Sequence, residues 1–178
     1  MVKYESIVPI KDSIYGDSKI GGNLEKNYTT IKSLSEKAEI LSFASDLPSG
    51  YLQKIIDNAN GKVIYIDSWT TWCKPCIADF KSSVPLLKKE FGSDVEFVYL
   101  CYRSEEKAWK AMIAKYQIEG KHYFIENENS KDIREQINAR AFPTYTIISN
   151  NGEIVKPDSK LRPSEAITTK TLKELIAE

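Results

Sequence analysis

Residues 65–76 of this 178-residue chain read Tyr-Ile-Asp-Ser-Trp-Thr-Thr-Trp-Cys-Lys-Pro-Cys, and this stretch decides the fold. It continues a run at 62–68, KVIYIDS, whose β-branched and aromatic side chains predict a buried strand. The residues that follow predict a helix at about 74–90. Two cysteines, Cys73 and Cys76, therefore lie at the turn from a strand into a helix.

The position of the cysteine pair predicts its chemistry more strongly than its spacing does. Unpaired N–H groups and the dipole at a helix N-terminus stabilise a thiolate, so its pKa falls below the free value of about 8.5. We expect Cys73, at the start of the turn, to be exposed and nucleophilic, and Cys76 to be the shielded resolving thiol. Lys74 adds a nearby positive charge, and Pro75 stiffens the first turn, where its missing N–H costs little.

Three other interpretations of the cysteine pair stay open at this point: half of a zinc site, two inert core residues, or a purely structural disulfide. Tetrahedral zinc needs four ligands, and the chain offers only Cys101 and His122 besides, in separate predicted strands. A disulfide across so short a loop adds little stability. Two free thiols rarely meet by chance at such a turn, so redox chemistry is the favoured interpretation.

Composition limits the classes of function. The 25 Lys and Arg residues are balanced by 25 Asp and Glu, which argues against a nucleic-acid binder or a polybasic membrane-surface protein. Hydrophobic residues at 42% and charged residues at 28% are typical of a globular domain. Apolar runs are too short to span a bilayer, and the N-terminus lacks the apolar core of a signal peptide. Two interpretations follow: a cytoplasmic protein, or a fragment whose targeting segment lies upstream.

The remaining pattern predicts an α/β fold with one central mixed β-sheet flanked by helices, preceded by a mainly helical N-terminal extension. We divide the chain into an extension, residues 1–45, and a domain, residues 46–178. Within the extension, residues 1–22 are irregular and residues 23–44 have the apolar spacing of an amphipathic helix. Further helices are expected at 51–59, 105–116, 130–139 and from 164 onward, and strands at 95–102, 121–125, 143–149 and 153–156.

These residues resemble the thioredoxin superfamily, and more narrowly the TlpA/ResA-like thiol–disulfide oxidoreductases of the bacterial envelope. The resemblance runs from about Gly61 to the C-terminus and is carried by residues 65–76 and by Ala141-Phe142-Pro143-Thr144. It implies a thioredoxin-like fold for residues 46–178. It also implies an envelope or periplasmic location, with this chain as a C-terminal piece of a longer precursor, which would account for the missing signal peptide.

The resemblance implies two catalytic residues besides the cysteines. Pro143 would supply the cis-proline that faces the disulfide in the family. Asp67, six residues before Cys73, matches the buried acid of thioredoxin. Burial would raise the pKa of this carboxyl group, so it could exchange protons with Cys76 during turnover.

The resemblance also implies a substrate-binding rim around the disulfide. Phe142 would offer backbone groups to an extended substrate segment, a form of strand addition, and Thr144 lies in the same motif. Trp72 would be a partly exposed platform beside the pair, while Trp69 would pack into the fold. Lys74 and Pro75, between the cysteines, complete the predicted substrate-binding set.

The chain departs from the family pattern in several places. Many relatives have a proline where this chain has Lys81, whereas the later Pro85 should kink the predicted helix. Asp79 stands where relatives often carry Glu. Residues 102–125 resemble the inserted helix of the envelope branch. Three residues of this segment, Arg103, Trp109 and His122, are candidates for the surface that contacts the substrate. For His122, a structural role is the simpler interpretation.

The expected function is disulfide exchange with protein substrates, in the reducing direction, with an upstream electron donor and no metal or organic cofactor. The Lys-Pro between the cysteines differs from the His-containing pair of strong oxidants. A thiol peroxidase is one alternative, because Thr70 precedes Cys73 as in peroxiredoxins, but Ile66 stands where those enzymes have proline. A redox-inactive thioredoxin-like binding module is another, although the intact cysteine pair argues against it. Nucleic acid and a membrane span are not expected.

Overall fold

The computed structural model of the protein describes residues 38–41, 50–126 and 130–178. In these ranges the strands are β1 (Ala38–Leu41), β2 (Val63–Trp69), β3 (Val95–Cys101), β4 (Gly120–Phe124), β5 (Thr144–Ile148) and β6 (Ile154–Asp158). The helices are α1 (Tyr51–Asn58), α2 (Lys74–Lys81), α3 (Ser83–Phe91), α4 (Glu106–Tyr116), α5 (Ser130–Gln136) and α6 (Ala166–Ile176), with a short 3₁₀ helix at Ser159–Leu161.

The strands form one sheet in the order β1-β4-β3-β2-β5-β6. The first four strands in this order, β1, β4, β3 and β2, are parallel to one another. β5 is antiparallel to β2, and β6 is antiparallel to β5. The predicted mixed sheet with flanking helices is therefore confirmed. Every residue of β2 is buried, as expected for a central strand covered on both faces. Its carboxyl end leads directly into the cysteine turn.

Residues 38–41 form a strand, so the helix predicted over 23–44 is wrong for these four residues. β1 lies at the edge of the sheet, where Ala38 pairs with Gly120 and Leu41 pairs with Tyr123. Backbone pairing with β4 outweighs helical periodicity, because local propensity is a weak preference that tertiary contacts override. The other residues of the predicted extension, 1–37 and 42–45, lie outside the described residues, and the proposed division of the chain at residue 45 stays a prediction.

The single helix predicted at 74–90 is two helices, α2 and α3. They are separated at Ser82, whose φ of −123° and ψ of −66° are not helical. Pro85 explains the break, because a proline ring clashes with the carbonyl four residues earlier, here that of Lys81. Ser82 stabilises the end of α2 by donating its hydroxyl to the carbonyl of Ala78 at 2.9 Å. The expected kink is therefore a complete break, placed three residues before the proline.

The other predicted elements lie within a few residues of their expected bounds. The hairpin turn at 150–152 joins β5 to β6, and Gly152 adopts the positive φ of 86° that the turn requires. In the described ranges, no helix combines the length and apolar character needed to cross a membrane.

Candidate active site

The cysteine pair lies where β2 ends and α2 begins. Cys73 is the N-cap of α2, and it forms a disulfide with Cys76 in the first turn. Its Sγ accepts a hydrogen bond from the backbone N–H of Cys76 at 3.2 Å. This N–H is one of the groups that a helix leaves unpaired at its N-terminus, so it is also placed to stabilise a thiolate on Cys73 after reduction.

The disulfide is more buried than the sequence suggested. Cys73 has an exposed fraction of 4% and Cys76 of 0%, so the expectation of an exposed Cys73 is wrong for the disulfide form. The physical reason is that the Cys73 sulfur is bonded to Cys76 and turned towards the N-terminus of α2. Lys74 and Pro75, between the cysteines, are exposed and form the solvent side of the turn.

An aromatic pair brings the two sequence motifs together beside the disulfide. The Trp72 ring meets the Phe142 ring edge to face, with 6.4 Å between centroids. Trp72 is 61% exposed, and its Nε1 donates to the carbonyl of Arg103 at 3.1 Å, which fixes the indole as a platform. The peptide bond between Phe142 and Pro143 is cis, as the resemblance implied.

A buried side-chain hydrogen bond holds the loop that precedes β5. Thr144 is buried, and its hydroxyl donates to the carbonyl of Ala141 at 2.6 Å, closing the turn around the cis bond. Phe142 and Pro143 keep part of their surface exposed. The side chain of Thr144 therefore shapes the loop, and contact of residues 142–144 with a substrate stays a prediction.

Asp67 is completely buried in the middle of β2. In the part of the chain that the structure describes, neither of its carboxyl oxygens has a hydrogen-bond partner. Burial raises the pKa of Asp67 well above its usual range, and the nearby charge of Asp79 raises it further. Alternation along a strand puts Asp67 on the same sheet face as Trp69, and α2 covers that face through Phe80, 4.9 Å from the Trp69 ring.

Asp79 is a site residue that the sequence marked only as a departure from the family pattern. It lies one helical turn after Cys76, on the buried side of α2. This spacing from the second cysteine was the available signal. Three donors hold its carboxylate: Tyr145 Oη at 2.7 Å, Arg162 Nη2 at 2.7 Å and Ser83 Oγ at 3.1 Å.

Glu105 is the N-cap of α4, so the side chain of Ser104, just before it, does not cap this helix. The Ser104 hydroxyl instead accepts a hydrogen bond from the backbone N–H of Thr71 at 3.0 Å and donates to the carbonyl of Tyr102 at 2.8 Å. It thus joins the turn before the cysteines to the loop after β3. Sequence reasoning had no signal for this contact, because the two loops are 33 residues apart.

Two candidates for the substrate face belong to the core instead. Trp109 and His122 are both buried, so their assignment to the substrate face is wrong, while Arg103 is exposed. The His122 ring stacks on Tyr99 with 4.7 Å between centroids, and its Nε2 lies 2.7 Å from the carbonyl oxygen of Ile118. Burial lowers the pKa of His122 to about 4.

The third cysteine is separate from the redox pair. Cys101 ends β3 and is completely buried as a free thiol. Burial raises the pKa of the Cys101 thiol to about 12. At neutral pH it is therefore a protonated thiol that behaves as a small core residue.

Comparison with known proteins identifies relatives of the region that carries the cysteine pair. A thioredoxin-like family model matches residues 60–154, more than half of the chain. The chain is similar to the thioredoxin-like protein YneN of Bacillus subtilis, with 27% identity over 135 residues, 75% of this chain and 78% of that protein. It is 22% identical to the thiol-disulfide oxidoreductase ResA of the same bacterium over 135 residues, covering 72% of this chain and 74% of ResA.

A solved structure from Bacteroides vulgatus, of a protein assigned to the thiol-disulfide oxidoreductases, is also similar. It has 27% sequence identity and a TM-score of 0.59, and the match covers 68% of this chain and 78% of that one.

Proposed function

The chain belongs to the thioredoxin-like family, and from that premise we propose that it is a thiol–disulfide oxidoreductase that reduces disulfides of protein substrates through Cys73 and Cys76. One observation carries the proposal: the pair forms a disulfide at the N-terminus of α2, where the Cys76 N–H is directed at the Cys73 sulfur. The names of the relatives, ResA among them, support the same reaction.

In the proposed reaction, the Cys73 thiolate attacks one sulfur of the substrate disulfide. A bond forms between Cys73 and that sulfur, and the second substrate sulfur leaves as a thiolate that takes up a proton. Cys76 then loses its proton and attacks the Cys73 sulfur, which releases the first substrate sulfur as a thiol. Two electrons pass to the substrate, the Cys73–Cys76 disulfide remains, and an external electron donor restores the dithiol.

Asp67 is the proposed proton acceptor for Cys76, directly or through water. Its support is threefold: it is buried, it has no hydrogen-bond partner among the described residues, and its pKa is raised. A raised pKa brings a carboxyl group closer to neutral pH, where it can both accept and return a proton. Asp67 also lies on the sheet face that α2 covers, and α2 carries Cys76.

The proposed substrate site is the surface around the disulfide. Trp72, Lys74 and Pro75 are exposed there, and the cis-proline loop lies beside them through the contact between Trp72 and Phe142. An extended substrate segment would pair with the backbone of residues 142–144, as in strand addition. Such pairing uses main-chain groups, so it suits an enzyme that acts on varied protein disulfides.

The proposed compartment is the bacterial envelope, and the proposed direction is reduction. The resemblance to TlpA/ResA-like proteins and the similarity to ResA support the compartment. The Lys-Pro dipeptide between the cysteines supports the direction, because strong oxidants of this superfamily carry a histidine there.

Trapping of mixed disulfides tests the proposal and the two thiol roles. Cys76→Ser should accumulate mixed disulfides with substrate proteins, because Cys73 still attacks but nothing resolves the product. Cys73→Ser should trap little. Both variants are analysed by non-reducing gels and mass spectrometry of whole cells. Cys101→Ala, which changes a buried thiol outside the pair, should behave like the wild type. Equal trapping by the two pair variants would refute the assigned roles.

A further inference from the structure

A positively charged surface lies beside the proposed active site. It lines a cavity of about 640 Å³ between the loop after β3 and the end of α5. We call it the basic surface and define it by its four cationic residues, Arg103, Lys131, Arg134 and Arg140. Glu135 is the carboxylate that lines the same cavity. The chain as a whole has zero net charge, so this local excess is a property of the surface and not of the composition.

The basic surface is continuous with the redox site on two sides. Arg103 also lines an adjacent cavity of about 680 Å³ together with Thr71, Trp72 and Glu105, and its carbonyl accepts the Trp72 Nε1 hydrogen bond. Further along, the Arg134 guanidinium lies over the Phe142 ring, 5.5 Å from its centroid. A substrate segment that reaches the disulfide past Trp72 therefore comes close to Arg103, and one that passes Phe142 comes close to Arg134.

The four cations differ in how they are held. Arg134 is fixed, because its Nε donates to the carbonyl of Ala139 at 2.8 Å and its Nη2 to that of Arg140 at 3.3 Å. The side chains of Arg103, Lys131 and Arg140 are exposed. Among residues 38–41, 50–126 and 130–178, none of these three makes a side-chain hydrogen bond or ion pair. Three cations are thus available to a ligand around one that is anchored.

We propose that the basic surface binds acidic side chains of the substrate protein next to its disulfide, so that preferred substrates carry Asp or Glu there. The inference rests on the proposed function and names the substrate class of the same site. Charges of opposite sign steer encounter and fix orientation across an interface. A protein is the favoured ligand, because the surface adjoins a thiol-exchange site and the balanced charge of the chain is unlike that of a nucleic-acid binder.

Paired peptides test the inference with the full-length, pre-reduced protein. One disulfide peptide carries aspartates beside its cysteines, and its partner carries asparagines at the same positions. A single turnover oxidises the protein dithiol and reduces the peptide, so no further reductant is needed. The second-order rate constant should be about three- to tenfold higher for the acidic peptide at low salt, and the difference should disappear at high salt.

Charge reversal locates the effect. Arg140→Glu should lower the ratio of the two rate constants by at least about threefold, since an attractive charge becomes repulsive. Arg140→Gln, the milder variant, should give an intermediate ratio. Lys62→Glu is the matched control, because Lys62 is exposed and precedes β2 at the end opposite the cysteines, and it should keep the wild-type ratio.

The outcomes separate the two proposals. If the wild type reduces neither peptide, the proposed function fails and the inference fails with it. If it reduces both peptides at equal rates, or if Arg140→Glu keeps the preference, the inference fails and the function stands. Stronger inhibition by a short oligonucleotide than by a cysteine-free acidic peptide of equal charge would mark a nucleic-acid surface and overturn the inference.

Discussion

Two buried carboxyl groups near the disulfide have opposite surroundings. Asp79 is held by the guanidinium of Arg162 and the hydroxyl of Tyr145, each at 2.7 Å. Asp67 has no hydrogen-bond partner in the described part of the chain, and burial raises its pKa. Ionisation of Asp67 would place a second negative charge near Asp79 without a donor to stabilise it. Asp79 is thus fixed in an ion pair, whereas Asp67 has the raised pKa that its proposed role in proton transfer requires.

Replacement of Asp67 by asparagine should separate catalysis from stability. Asp67→Asn should slow the release of substrate from the mixed disulfide roughly 100-fold, as expected for loss of a positioned proton acceptor. The same change should raise the free energy of unfolding at neutral pH. The unfolded aspartate ionises near its ordinary pKa of 3.8, whereas the folded one ionises at higher pH, so the wild type loses stability as the pH rises between them.

Rapid-quench kinetics and urea unfolding across pH measure both effects. Asp94→Asn, which removes an exposed carboxylate just before β3, is the control and should change neither quantity much. An Asp67→Asn variant with wild-type resolution rates at every pH would show that Asp67 is only a structural residue.

At the residue scale, the sequence identified groups that lie in contiguous motifs. Cys73, Cys76 and Asp67 fall within twelve residues, and a buried strand that runs into a helix predicts the burial of Asp67 and the place of the cysteine turn. The partners of Asp79 could not be predicted in this way, because Arg162 is 83 residues away along the chain. Exposure of Cys73 was also mispredicted, since the covalent bond to Cys76 turns its sulfur inward.

At the element scale, one hydroxyl joins the two loops that surround the site. Ser104 accepts from the backbone N–H of Thr71 at 3.0 Å, while the Thr71 hydroxyl lies 3.2 Å from the same oxygen. Ser104→Ala should lower the free energy of unfolding by about 1 kcal/mol, because a partly buried N–H loses its acceptor. Hydrogen exchange at Thr71 should also become faster, because the turn before Cys73 loosens.

Urea unfolding and amide exchange followed by NMR measure these two effects. Ser93→Ala is the matched control, since the Ser93 hydroxyl is exposed and bonds only to its neighbour Asp94 among the described residues. Unchanged exchange at Thr71 in Ser104→Ala would contradict a role for this hydroxyl in holding the turn.

Predictability at the element scale depends on where the pairing partner lies. β2 and β3 are long and rich in β-branched and aromatic residues, so they were predicted with nearly correct bounds. β1 is four residues long and exists because β4, about 80 residues later, offers it an edge. Pro85 signalled an interruption of the helix after the cysteines, but the exact place of the break depends on Ser82, which ends α2.

At the scale of the whole molecule, sheet topology brings three loops that are distant in sequence to the end of the sheet where β2 and β3 finish. β2 and β3 are parallel, so their carboxyl ends meet there, and the antiparallel β5 begins at the same end. The cysteine turn, the loop of Arg103 and the cis-proline loop consequently meet. Ligand sites commonly lie at the carboxyl ends of parallel strands in open α/β sheets. The order of the strands thus places both the disulfide and the basic surface.

Acid stability of the whole fold should depend on His122. This histidine lies in β4 and is buried against Tyr99 of β3, and burial lowers its pKa to about 4. The unfolded histidine takes up a proton near pH 6.5, so between pH 6.5 and 4 the unfolded state binds a proton that the folded state does not. The free energy of unfolding should therefore fall as the pH drops through this window, by as much as about 3 kcal/mol from this residue.

His122→Gln isolates this effect, because His122 is the one histidine in the sequence and glutamine can still donate to the Ile118 carbonyl. The variant loses the stacking on Tyr99, so its absolute stability should be lower, but that offset does not depend on pH. What matters is the slope of unfolding free energy against pH, measured by urea denaturation between pH 4 and 6.5. The wild type should fall more steeply than the variant in this window, and parallel curves would show that His122 is protonated as readily in the folded protein as in the unfolded chain.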